Sequence, residues 1–461
     1  MIKNSDEIID KQDLMNLNPQ KAFKKMAPPL AIYAIFDAIC SLINTLWAGA
    51  LGSDVVAAVA IASPIFLFIT VIGKSMGKGT NSFMSRKLGS KHEDNELNEE
   101  DITKIETAAH NIIIHGIIIC IIGSIISFII GLVGLSSLTS NSLAISYLSP
   151  LFILGFLSIF SQFFPETLQA KGVTKIPNAV LSIGLILNII LDPILAINFN
   201  LGIVGLAYAT IVASLIPFIT FMYMYLKDEK YASLKLKHFE FKAIVLYEIL
   251  KVSIPTYIDN TTGSISSTYI NQTLTIAGGS LALSIYSYTK EIRSLMLSPS
   301  RGLARGVSSI GGHLYGAKKH DDIKSIYFYA IKETVLLGII SSIAIFILSN
   351  ILLSSLAPEL NSMKWEITAL LIVLCFLSPI IYVSANLLNG LGLSIYTLIM
   401  SILSMFITII CIDFLKQIFD SLLAVLIGIG LSDIIIVIIY ITLISIIVKR
   451  RKRKHNNQDN T

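Results

Sequence analysis

The feature that most constrains this chain is a set of long apolar runs from which charge is excluded. From Ile112 to Tyr147 there is no Asp, Glu, Lys or Arg, whereas Lys449 to Lys454 is unbroken basic sequence. A helix needs roughly 20 residues to cross about 30 Å of hydrocarbon. Runs of that length lie at 27–50, 55–79, 108–133, 143–165, 177–198, 203–226, 252–277, 281–305, 327–350, 366–389, 394–415 and 422–448. Strands of a barrel would alternate polar and apolar residues, but Ile112 to Ile130 is apolar on every side. The expected fold is all-α and integral to a membrane, with twelve transmembrane helices. Of the residues, 14% are charged, against about a quarter in soluble domains, which excludes a water-soluble enzyme.

Basic residues gather before the first run, in the even-to-odd loops (Arg86, Lys87, Lys91, Lys104; Lys171, Lys175; Lys227 to Lys251; Lys318, Lys319, Lys324) and in the tail. The alternate loops hold only Lys364 and Lys416. The positive-inside rule then puts both termini in the cytoplasm, which requires an even number of spans. The basic tail reads as a stop-transfer flank beside anionic lipid. The first 26 residues mix five lysines with four acids and carry no cleavable signal pattern, so the first hydrophobic helix is expected to do the targeting.

The polar break at 227–251 divides six runs from six, and the halves repeat. A shift of 227 positions (255 − 28) superposes Pro28 on Pro255, Asn44 on Asn271, Gly79 on Gly306 and Gly89 on Gly316, and sets Lys74 and Lys78 on Arg301 and Arg305. Because six is even, the copies are parallel repeats about an axis along the membrane normal, with a solute cavity between them. The expected organisation is a cytoplasmic segment 1–26, a six-helix bundle 27–226, a cytoplasmic linker 227–251, a second bundle 252–448 and a basic tail 449–461.

An ionisable residue in hydrocarbon costs at least a few kcal/mol, so each one inside a span is a functional candidate. In the first half these are Asp37 with Asn44, Glu166, and Asn188 with Asp192. Counted at 1.5 Å per residue, Asn44, Asp192 and Thr210 all fall roughly 10 Å below the outer surface, and Asn188 shares the helical face of Asp192. One carboxylate, two amides and a hydroxyl at one depth can serve sodium, which takes hard oxygen ligands, or a proton. Asn188 and Asp192 can alternatively cap or bridge helices where Pro193 frees backbone groups. Asp37 lies nearly two turns before Asn44 on the same side, roughly 10 Å deeper. It is either a relay or second site, or a structural carboxylate paired with a lysine.

The second half offers Asp259, the run Lys290, Glu291 and Arg293, and Asp413 with Asp433. Both signs within one turn predict that Lys290 to Arg293 neutralise one another, while Asp259 and Glu291 remain candidates for a cationic substrate. His110 and His115, five apart, share no metal-binding face and receive no role. Cys40, Cys120, Cys375 and Cys411 lie inside apolar runs without CxxC spacing and read as packing residues.

At Asn188-Ile-Ile-Leu-Asp192-Pro193, followed by Gly202-Ile-Val-Gly205-Leu-Ala-Tyr-Ala-Thr210, the sequence resembles the multidrug and toxic compound extrusion family. The resemblance extends to Gln169-Ala-Lys-Gly172, to Ala48-Gly49, and to Gly302 through Gly316-Ala317. It implies an exporter of two bundles around a central cavity, alternating its access and driven by sodium or protons. It implies a cation site in the first bundle at Asn188, Asp192 and Thr210 with an acid of the first helix, and a bend in that helix at Pro29. The chain departs from the family at that acid. The usual D-T-x-x-x-G context here reads Asn44-Thr45-Leu-Trp-Ala-Gly49. An amide ligates sodium but carries no proton, so Asp192 titrates alone or Asp37 substitutes from below. The helix 7 glutamate of another branch, eight residues after its proline, is Gly263 here, one turn from Asp259.

The expected function is a cation-coupled antiporter exporting amphipathic, cationic organic compounds. The alternative is a flippase for a lipid-linked or other amphiphilic substrate. A flippase of anionic lipids would line its cavity with arginine and lysine, and only Lys290 and Arg293 lie well inside the predicted spans. No HExxH, GxSxG or paired acidic motif points to an enzyme. No cofactor is expected beyond Na+ or H+, no metal site beyond sodium, and no nucleic-acid partner. The partners are the substrate and the bilayer, with no oligomeric state assigned.

Overall fold

A computed structural model describes residues 18–90, 99–227, 240–356, 364–419 and 421–458. Every regular element among them is helical. Helix α1 (Pro19–Ala50) starts on Asn18, whose side chain accepts the Gln20 N–H at 3.0 Å, and runs unbroken through Pro28 and Pro29. It is followed by α2 (Ser53–Ser90) and α3 (Glu99–Ile129), which continues through a wider π-helical turn, Ile130–Gly134. Helices α4 (Ser142–Ile153) and α5 (Gly155–Ala170) make one bent span, turned by 57°. The bend has a local cause. Leu154 leaves helical geometry (φ −99, ψ 20) one turn after Pro150, which has no N–H to give.

Helix α6 (Lys175–Pro193) ends at a proline, and its last turn widens into the π-helical segment Ile194–Asn198, closed by Phe199 N–H on Ile194 O at 3.0 Å. A left-handed Asn200 and Gly202 (φ 56 each) turn the chain into α7 (Gly202–Lys227). The second half holds α8 (Ala243–Gly316), α9 (His320–Leu356), α10 (Lys364–Gly390), α11 (Ser394–Leu415) and α12 (Ser421–Gln458). A straight helix as long as α8 would span about 110 Å. It folds back instead, because Arg86 bonds Glu248 near its start at 3.2 Å while Gly316 at its end packs on the Arg86 carbonyl. Its two arms are the seventh and eighth spans, and α8 starts inside the stretch read from sequence as a linker.

Among the described residues, seven helices are long and apolar enough to cross a membrane, and the bent pair makes eight. Helices α2 and α10 and the arms of α8 bring the architecture to twelve. Their described parts have shorter apolar windows or carry charge, such as Lys74 and Lys78 in α2 and Asp259 and Arg293 in α8.

The repeat seen in the sequence is expressed as contacts. Gly89 packs on the carbonyl of His313, and Gly316 packs on that of Arg86, the same contact made in each direction (86 + 227 = 313; 89 + 227 = 316). Ser85 meets Gly312, its own repeat mate, so this pair marks the axis (85 + 227 = 312). A Cβ on Gly89 or Gly316 would overlap backbone atoms, which is why α2 and the second arm of α8 approach so closely here. Beside them, Asn81 Oδ1 accepts from Ser85 Oγ at 3.0 Å and from Ser309 Oγ at 3.1 Å, and Ser82 Oγ donates to Gly390 O at 3.1 Å. This seam joins the halves at the basic end of the molecule.

The cores are exchanged at the same end. Ala22, Phe23, Met26 and Ala27 of α1 pack in a cluster with Val307, Tyr327 and Leu387 of the second half. Val245 and Ile249 of α8 pack in the first-half cluster with Phe163 and Tyr225. Each half therefore holds the first turns of the other's leading helix, so that apolar burial, at roughly 25 cal/mol per Å², ties the halves together at this end.

Candidate cation site and the charged residues between the halves

The first-half site is built where α1 lies along α6. Asn188 and Asp192 are one turn apart, buried, and aligned on one face of α6, and the Asn188 amide donates to Asp192 Oδ1 at 3.2 Å. From α1, the Asn44 amide lies 3.0 Å from the Asn188 oxygen. Turned about its own axis, the same amide places its nitrogen 2.7 Å from Asp192 Oδ2 and 3.1 Å from the Cys40 carbonyl. Three of the residues expected from sequence thus converge across two helices. Thr210 on α7 bonds its own helix, Oγ1 to Leu206 O at 3.1 Å. It is linked to the cluster through Tyr147 of α4, whose hydroxyl is within reach of Thr210 and in the field of Asp192.

Two members of this cluster escaped the sequence reading. Cys40, taken there as a packing residue, points its thiol at Asn188 Oδ1, 3.4 Å away. Its position one turn before Asn44 is the signal that would have found it. Tyr147 stands in α4, which has no charged residue, so nothing in its local sequence marks it. Among the described residues no lysine or arginine lies within salt-bridge distance of Asp192, although its side chain is 1% exposed. A carboxylate in that position is neutralised by a proton or balanced by a bound cation.

Asp37 is exposed, deeper along α1, with no ion pair among the described residues. It lies in the field of Tyr33, Cys40 and Lys74 rather than in contact with a lysine. Pro29 is half-buried within the continuous α1. In the second half, Arg293 has a partner outside its own turn. It crosses to α12, donating to Asp433 Oδ2 at 3.1 Å, and to α10, donating to Ser378 Oγ at 2.9 Å. Lys290 is exposed, and the side chain of Glu291, like that of His110, lies outside the described residues. Asp259 accepts from Ser401 Oγ and lines a cavity of about 230 Å³ with Thr262, Arg293, Asp433 and Tyr440. Asp413 accepts from the Tyr269 hydroxyl at 2.5 Å and pairs with Lys416 at 2.6 Å. His115 is structural, receiving the Lys242 backbone N–H at 3.0 Å.

The expectation that only Lys290 and Arg293 carry basic charge inside the spans does not hold. Lys74, Lys78, Arg301 and Arg305 are each half-buried. Counting runs of apolar residues ended the spans at 79 and 305, whereas α2 and α8 continue to Ser90 and Gly316 and place these bases inside the helices.

A family model described as MatE matches residues 29–194 and 255–415, more than half of the chain and once in each half. The multidrug export protein MepA of Staphylococcus aureus (strain MSSA476) is 25% identical over 340 residues, 72% of each chain. The "Probable multidrug resistance protein YoeA" of Bacillus subtilis (strain 168) is 24% identical over 346 residues, 72% of each. A crystal structure described as the outward-facing conformation of a multidrug resistance MATE family transporter superposes with a TM-score of 0.88, covering 98% of this chain and all of that one at 23% identity. With a matching family model in both halves and this shared twelve-helix fold, the chain belongs to the multidrug and toxic compound extrusion family of membrane transporters.

Proposed function

We propose that the protein is a cation-coupled antiporter, using sodium or protons to export amphipathic organic cations, with both termini in the cytoplasm and two bundles alternating about the seam. The observation that carries the coupling is the convergence of Asn44 and Asn188 on Asp192, a buried carboxylate served by amide donors and by no base within salt-bridge distance. Turned oxygen-inward, the two amides and the carboxylate supply the hard oxygens sodium takes, with Tyr147 and Thr210 beside them. Protonation of Asp192 neutralises the same site. Since Asn44 carries no charge, occupancy changes one formal charge here, and Asp37 stands about two turns below as the next acid on the path. On this reading a seam closed at the basic, cytoplasmic end corresponds to an outward-facing state, in which the coupling ion enters from outside.

The multidrug names of MepA and YoeA support an amphipathic substrate. Asp259, half-buried and with no base within salt-bridge distance among the described residues, is the acid that would meet its cationic end, with Glu291 a second. Dye efflux from everted vesicles, with sodium and proton gradients imposed separately, tests the reading. Gradient-driven efflux should be lost in Asp192→Asn and retained in Asp413→Asn. Intact efflux by Asp192→Asn under both gradients would sink it.

A further inference from the structure

Lys74 and Lys78 lie one turn apart on α2, on a common face, and Arg301 and Arg305 occupy the repeat-related positions on the second arm of α8. The bases come from both halves, so they face one another between them. Arg305 holds its guanidinium 5.9 Å from the Tyr33 ring centre, and its backbone carbonyl accepts from Gln169 Nε2 at 2.8 Å. Arg301 is turned along its own helix, donating to the carbonyl (2.6 Å) and hydroxyl (2.8 Å) of Ser294. Lys74, Lys78 and Arg305 are thus left together, each within the field of another. Among the described residues none of the three has a carboxylate within salt-bridge distance.

Their position relative to the seam distinguishes them from an ordinary basic flank. Counted from the outer ends of their helices, Asn44 and Asp192 lie about 10 Å down, Asp37 about 20 Å, Asp259 near 27 Å, Lys74 about 31 Å, and Lys78 and Arg305 about 36 Å. Below them α2 and α8 continue for three turns, closing the Gly89 and Gly316 seam beneath them. Solvated flanking lysines would lie beyond such a closure, on the cytoplasmic side. These stand above it, between the two halves.

Three acids are nearby and their engagement decides the polarity of the floor. Glu166 accepts from Asn81 Nδ2 at 3.4 Å, and Asp259 is held by Ser401. Asp37 is higher and exposed. Glu166 thus lies at the level of the lysines, packed on Gly77, while Asp37 and Asp259 lie above, and among the described residues none of these acids closes an ion pair with the three bases.

We propose that Lys74, Lys78 and Arg305 form an anion subsite at the floor of the central space, taking a phosphate or carboxylate group of the transported compound. A bipolar amphiphile would set its acidic group among these three bases and its cationic or apolar part against Asp259 and the walls above. The subsite rests on reading the chain as an exporter of amphiphiles, but not on which ion drives it. Guanidinium and ammonium donors make charge-assisted bonds to such oxygens.

The test is equilibrium binding to the full-length protein in phosphatidylcholine nanodiscs, with radiolabelled dodecyl phosphate and dodecyltrimethylammonium as probes. The Lys74→Gln/Lys78→Gln variant should lose about tenfold or more in affinity for dodecyl phosphate, a change of about 1.4 kcal/mol or more. It should change dodecyltrimethylammonium binding by less than about twofold, and Lys290→Gln should leave both unchanged. If the double variant does not fold, Arg305→Gln read in the same way decides. Equal losses for both probes, an unchanged phosphate affinity, or wild-type binding of dodecyl phosphate no tighter than of dodecanol would overturn the proposal. Excess inorganic phosphate identifies the source: displacement of the probe assigns free phosphate, and retention assigns the head group of an amphiphile. Loss of gradient-driven efflux with intact dodecyl phosphate binding would count against the exporter and leave the subsite standing.

Discussion

The two halves share a scaffold but treat a buried carboxylate in opposite ways. Among the described residues of the first half, Asp192 is served by the neutral amides of Asn188 and Asn44, with the Cys40 thiol and Tyr147 hydroxyl on their neighbours. In the second half Asp433 is bound by Arg293 and Ser378. A permanent guanidinium answers the charge at every stage of a cycle, so Asp433 has no need of a mobile ion. In the proposed cycle Asp192 has that need. The difference teaches that symmetry of backbone does not carry symmetry of function, and that the partner of an acid says more about its role than its depth.

The comparison breaks most visibly if the carboxylates are exchanged in role. Asp192→Asn should abolish gradient-driven efflux while leaving the melting temperature of the purified protein within a few degrees of wild type. Asp433→Ala should do the reverse. It strands a partly buried arginine, for which about 3 kcal/mol of destabilisation is expected, read as a large fall in melting temperature with residual transport still gradient-dependent. Arg293→Met/Asp433→Leu should recover much of that stability, since a well-packed apolar pair commonly replaces an ion pair at little cost. If the double variant loses coupling while remaining folded, the second half also drives transport and the contrast fails.

The seam offers the next largest effect. Ser85 and Gly312 meet on the repeat axis, so cysteines placed at both should oxidise to a disulfide. Efflux should stop on oxidation and return on reduction. Transport that persists through the cross-link would mean that the halves do not separate here.

Smaller changes sharpen the first-half site. Tyr147→Phe removes a hydroxyl beside Thr210, and a weakening of ion dependence by about tenfold or less is expected, the scale of one hydrogen bond. Cys40→Ser replaces a weak thiol donor by a stronger but shorter one. A shift of about threefold or less in the ion concentration giving half-maximal efflux is expected, measured in proteoliposomes. An effect of Cys40→Ser larger than that of Tyr147→Phe would reverse their ranking as partners of the site.

Much of this was legible before any coordinates. Charge exclusion over a bilayer-length run forces a helix, because backbone groups in hydrocarbon have no other partners than those of their own segment. Counting 1.5 Å per residue was enough to set Asn44, Asp192 and Thr210 at one depth. The repeat at 227 positions, visible as Gly79 with Gly306 and Gly89 with Gly316, anticipated the reciprocal contacts of the seam.

What the sequence by itself determined is therefore periodic or additive along the chain: hydropathy, helix length, depth and repeat. Only the tertiary structure decided who faces whom. It took Arg293 across to Asp433, brought the Cys40 thiol and the Tyr147 hydroxyl to the Asp192 cluster, and folded α8 so that its two ends both reach Arg86. It also set Lys74, Lys78 and Arg305 above a closed seam instead of beyond it. The reason is that depth is a one-dimensional quantity which each helix carries alone. The partner of a charge depends on the rotation and neighbours of every helix, and these are settled by packing between segments far apart in sequence.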